Sequence, residues 1–243
     1  MKLSENSDFF VYQNMVFTQN MTLAYNDKYI NLYVVPGDSV HLEIDGSRLK
    51  EPEFKWLKIT GDHAERSRQL NLVHRYINTL PNHHYDYSMS SDDILLTVKT
   101  DYNRYLGALM NYSSKQQLDP VILDFMKRDI RYKIANWISD YVDQGDKSPS
   151  SKQERIQLFK DAFFDNGNDS NFMSMMYPYY LGMNTDWATQ SLRPVEQKSG
   201  EKSDLKTIEK GIRVILQEPP SLSRDYMIFT YLTSFLKKNV RKS

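Results

Sequence analysis

Up to Gly61 the apolar residues follow the two-residue period of strands. Val40, Leu42 and Ile44 alternate with His41 and Glu43, which predicts a half-buried strand over that segment. Tyr29 to Val35 (YINLYVV) predicts another, stopped at Pro36-Gly37-Asp38, where proline presets φ and glycine supplies the positive φ of a tight turn. Phe9–Phe17 and Met21–Tyr25 are rich in aromatic and β-branched residues and predict further strands. Lys55–Thr60 predicts one more, closing at Gly61-Asp62. The expectation is one compact antiparallel sheet.

Beyond Gly61 the period changes to that of a helix. His63–Leu80 carries Leu70, Val73, Ile77 and Leu80 at helical spacing and ends at Pro81. Ser90 or Ser91 caps a second helix, with Asp92 and Asp93 placed to interact with its dipole. Its apolar stripe reads Leu95, Val98, Tyr102, Tyr105 and Leu109. Asp119-Pro120 opens a third helix, which runs to about Val142. A fourth carries Ile156, Phe159, Ala162 and Phe163, ending near Asn166-Gly167. Asn171–Gly182 predicts a helix interrupted at Pro178, and Leu192–Ser203 a polar linker. Two more helices follow, over Asp204–Gln217 and from Ser221 to about Asn239. Strands followed by helices predict an α+β fold: a small antiparallel β-domain over residues 1–61, then a helical domain of about six helices over 62–243.

Composition narrows the function classes. Lys+Arg and Asp+Glu both number 31, so the net charge is zero and nothing favours a nucleic-acid partner. No run approaches the roughly 18 apolar residues of a membrane span. The absence of cysteine excludes disulfides, thiol catalysis and cysteine-ligated metal within the chain.

Motifs for phosphate binding are missing, since none of the nine glycines forms a G-x-G. The S-x-x-K matches at Ser47…Lys50 and Ser234…Lys237 lack the accompanying lactamase elements. Asp165-Asn166-Gly167-Asn168-Asp169 resembles a calcium loop, but Ser170 stands where glycine is needed and Met176 where the bidentate glutamate belongs. His83-His84 with Asp86 is the sole histidine pair, and adjacent side chains diverge on any regular element. Asp124/Arg128 and Asp129/Lys133, four residues apart, predict solvent-facing ion pairs. Lys237, Lys238, Arg241 and Lys242 suit a helix C-terminus. No cofactor is expected. The densest aromatic cluster, Met175 to Tyr180, makes Tyr177, Tyr179 and Tyr180 the candidate ligand-binding residues; core packing is the competing reading.

Tyr29–Asp45 (YINLYVVPGDSVHLEID), then Ile59-Thr60-Gly61-Asp62 and a helix beginning HAERSRQLNLVHRYI, resembles the N-terminal, non-catalytic region of Bacteroidetes-type thioredoxin-family thiol–disulfide proteins of the cell envelope. The resemblance implies that Pro36, Gly37 and Asp38 form a hairpin turn and that Gly61 joins strand to helix. Arg224-Asp225 fits the family's late helical segment less specifically. The resemblance also implies periplasm or envelope localisation. No Cys-x-x-Cys domain is present, so the thiol–disulfide activity does not carry over, and the chain reads as trimmed at both ends. The expected function is therefore a non-catalytic module, binding an unknown protein or small-molecule partner through a sheet edge or an aromatic helical surface. The alternatives are a fragment of an oxidoreductase whose redox domain lies elsewhere, and a stand-alone small-ligand binder.

Overall fold

The structure is a computed structural model and describes residues 12–15, 18–52, 54–81, 86, 88–144, 152–158, 169–174, 176–190 and 205–240. It is α+β: strands β1 (Gln19–Tyr25), β2 (Lys28–Val34), β3 (Val40–Ile44) and β4 (Leu57–Gly61) precede the helices. These are α1 (Ala64–Asn78), α2 (Ser91–Gln116), α3 (Pro120–Gln144), α4 (residues 152–158), α5 (Met176–Gln190), α6 (Leu205–Ile215) and α7 (Leu222–Val240). The described residues thus hold seven α-helices, one for each helical segment named from the sequence and in keeping with the expected count of about six. Contacts divide the chain into Met1–Asn71 and Leu72–Ser243, with the division inside α1.

In the first unit the expected single sheet is two separate two-stranded sheets, β1–β2 and β3–β4. The first is a hairpin in which Tyr25 pairs with Lys28 across Asn26-Asp27. Both turn residues have positive φ (45° and 62°), the turn whose twist matches that of its strands. The other edge of β2 is closed by α1, which explains why β3 does not extend the sheet. Asn31 N–H donates to Asn71 Oδ1 at 2.8 Å, and Asn71 Nδ2 returns a bond to Asn31 O at 2.7 Å. One turn earlier on α1, Tyr33 N–H donates to Ser67 Oγ at 3.0 Å. Two polar side chains at i and i+4 thereby occupy backbone groups that a neighbouring strand would otherwise take.

The Pro36-Gly37 turn closes, but it is not the hairpin turn that the resemblance implies: it links β2 to β3, which lie in different sheets and do not pair. Asp38 N–H donates to Val35 O at 3.0 Å, and Asp38 Oδ2 accepts from Val35 N–H at 2.8 Å. Ile30, Leu32, Val34 and Trp56 form the buried core of this unit, with Leu42 and Ile59 packed on it. Of the predicted Phe9–Phe17 strand, residues 9–11, 16 and 17 lie outside the described residues, and residues 12–15 are not strand.

In the second unit Ser90 caps α2, accepting from Asp93 N–H at 3.2 Å, and Asp119 Oδ1 accepts from Val121 N–H at 2.8 Å to open α3. Ile94, Val98, Tyr105 and Leu109 of α2, with Ile122, Phe125, Ile130 and Ile134 of α3, are buried. A 3-10 turn, Asp169–Met173, leads into α5. Pro178 does not interrupt that helix: it lies in the first turn, where its missing N–H has no intrahelical acceptor to lose.

Candidate functional site

The predicted tyrosines do not share one surface. Tyr177 and Tyr180 are 0% exposed, whereas Tyr179 is 66% exposed. Helical geometry accounts for the split: positions 177 and 180, three apart, face the core, and 179 points away. Tyr177 and Tyr180 pack around Tyr132 of α3, with ring centroids 4.6 and 5.2 Å from it. The Tyr177 hydroxyl meets Ser223 Oγ of α7 at 2.8 Å. Burial raises the Tyr180 phenol well above its ordinary range, so it stays protonated.

Tyr179 belongs instead to an exposed aromatic face built by α5 and α7. On α7, Phe229 is 61% exposed and its ring lies 6.4 Å from that of half-buried Tyr226. Tyr226 and Tyr179 are close enough to interact electrostatically, and partial burial pushes the Tyr226 phenol upward. Inward, Tyr226 stacks edge-on against Phe172 at 5.5 Å, and Phe172 against Tyr177 at 5.1 Å. Phe229 and Tyr226 thus rest on a continuous column of aromatic contacts. Sequence reading reached Tyr179 through its cluster but missed Tyr226 and Phe229, whose three-residue spacing on α7 was the available signal.

Polar bonds fix the segment beneath this face to α3. Ser174 donates to Asp129 at 2.8 Å, Arg128 Nη1 donates to Asn171 Oδ1 at 2.7 Å, and Asn136 Nδ2 donates to Met176 O at 3.3 Å. Asp124 and Arg128 do form the expected ion pair at 3.0 Å. The expected surface pair Asp129/Lys133 is corrected: Asp129 is buried, and Lys133 Nζ donates to Asn78 Oδ1 at 2.8 Å while lying over the Trp137 ring at 5.3 Å. Burial lowers the Lys133 ammonium below its usual range. Ser174 spends its hydroxyl proton on the Asp129 carboxylate, and the same carboxylate acts electrostatically on His74.

His83, His84 and residues 165–168 lie outside the described residues, as do the side chains of Lys237 and Lys238 and all of Arg241 and Lys242. Asp86 accepts from Ser88 N–H and Oγ at 2.9 and 2.8 Å, a local turn. Among the described residues no three metal-ligating side chains converge, and no helix is long and apolar enough to cross a membrane. The motif residues behind the family resemblance have structural work: Asp38 closes its own turn, and Gly61 packs its backbone against Ser39. Compared with known proteins, the chain matches no protein-family model, no curated protein and no solved structure.

Proposed function

We propose that this chain is a non-catalytic binding module that recognises a protein partner through the aromatic face of α5 and α7. The observation that carries the reading is that exposed Tyr179 of α5 and exposed Phe229 of α7 each neighbour Tyr226, which packs inward on Phe172. Large aromatic rings held by a rigid core lose little conformational freedom on binding and are enriched among residues that dominate interface energies. Tyrosine and phenylalanine at such a face suit a partner that presents apolar side chains from a helix or extended segment.

Attachment to, or cooperation with, a thioredoxin-like domain in the cell envelope belongs to the same proposal. Its support is the Tyr29–Asp45 and Ile59–Asp62 resemblance. The redox chemistry would then be the partner's, since this chain holds no cysteine.

A photo-crosslinking residue placed at Tyr179 tests the reading in the source cells, with the same residue at exposed Leu96 of α2 as control. The proposal expects a discrete protein adduct from position 179 that is absent from position 96 and lost with Phe229→Ser. Identical adducts from both positions, or persistence with Phe229→Ser, would refute it.

A further inference from the structure

His74 sits on the C-terminal half of α1, against α3. Its ring is half-buried, but Nε2 is sealed from solvent and has no hydrogen-bond partner. The ring stands edge-on to Phe125 of α3 with centroids 6.2 Å apart. A neutral imidazole tolerates this, because its single proton can reside on Nδ1 and leave Nε2 bare. A second proton must go to Nε2, creating a buried donor and a buried charge together.

The surroundings do not relieve that cost. Among the described residues the charged groups acting on the ring are Asp129 and Lys133, both of α3; α1 itself and α2 contribute none. Asp129 attracts the imidazolium, but its carboxylate already accepts from Ser174 at 2.8 Å. Lys133 repels it and is held in place by Asn78, one turn along α1 from His74.

We propose that His74 makes the packing of α1 against α3 acid-releasable: protonation of Nε2 loosens this contact, while the neutral ring holds it. Burial outweighs Asp129 and lowers the native imidazole below the ordinary value of 6.5. The unfolded chain therefore binds the proton first as pH falls. The stability linked to His74 is complete above about 6.5 and is lost as pH falls toward the lower native value.

The experiment uses the full chain. NMR titration of the histidine Cε1 protons, with His74 assigned by its loss in His74→Phe, should place His74 below 6.5. Urea unfolding followed by tryptophan fluorescence at pH 7.5 and 5.5 should show wild type losing up to about tenfold in folded-to-unfolded ratio per pH unit. His74→Phe, apolar beside Phe125, should lose that slope. A His74 titration at or above 6.5, or an equal slope in His74→Phe, overturns the proposal. If His74→Phe fails to fold, His74→Gln supplies the assignment and the wild-type titration decides.

Discussion

Gly61 and Gly37 offer a matched pair that separates two costs of adding a side chain. Their φ values are nearly equal, +95° and +96°. At Gly37 a methyl group would meet nothing within 4 Å. At Gly61 it would overlap the Ser39 carbonyl oxygen and stand 3.2 Å from its carbon and 3.3 Å from Val40 Cα. These neighbours are backbone, locked by the β3–β4 ladder and by the bond from Asp62 N–H to Ser39 O at 2.9 Å, so they yield little.

Placing alanine at such a φ costs about 1–2 kcal/mol, and the restricted unfolded chain returns roughly 0.4–1 kcal/mol. Gly37→Ala should therefore cost about 1 kcal/mol. Gly61→Ala adds an overpacking penalty of about 1–3 kcal/mol, for a total near 3. The assay is urea unfolding read through Trp56, the buried tryptophan of the first unit, in a Trp137→Phe/Trp187→Phe background. With a urea slope of about 1–3 kcal/mol per molar, the two midpoints should differ by roughly 1 M. Equal midpoints would show that the strand-to-helix junction relaxes freely and that Gly61 is needed for its φ alone.

Other substitutions test other contacts. Asn71→Ala, which orphans the Asn31 backbone groups, should destabilise the first unit by about 1–3 kcal/mol in urea. It should also promote association visible by light scattering, because the β2 edge is uncovered. Gly107→Ala and Gly182→Ala, where an added methyl meets nothing, should raise the melting temperature by a gain of about 0.5–1 kcal/mol each. Gly211→Ala should reverse that sign, since its methyl would overlap the Tyr231 ring where α6 crosses α7. Tyr177→Phe should cost about 1 kcal/mol by leaving buried Ser223 without its hydroxyl partner, whereas Tyr179→Phe should leave stability unchanged.

The fold class and most element positions were legible because they rest on local signals. Val40–Ile44 alternates, Ser90 caps, and Asp119-Pro120 starts a helix, and each appears where its chemistry places it. The single sheet was not legible as two, because the groups that separate them, Ser67 and Asn71, act on β2 from residues far along the chain. Asp129 read as a surface charge from its four-residue spacing to Lys133, but its partner Ser174 belongs to a distant turn. The aromatic cluster at Met175–Tyr180 drew notice for its density, yet density cannot say which ring faces out. That assignment required α5 to start at Met176, and completing the exposed face required α7 to bring Tyr226 and Phe229 beside it.

The aromatic face is tested most directly by titrating the crosslinked partner, once purified, against wild type and a Tyr179→Ser/Phe229→Ser variant. Both replaced side chains are largely exposed, so the variant should keep its melting temperature. If these rings are the centre of the interface, its affinity should fall by at least about thirtyfold, the effect of losing one dominant aromatic contact. Unchanged affinity in a folded variant would contradict the account and move recognition to another surface.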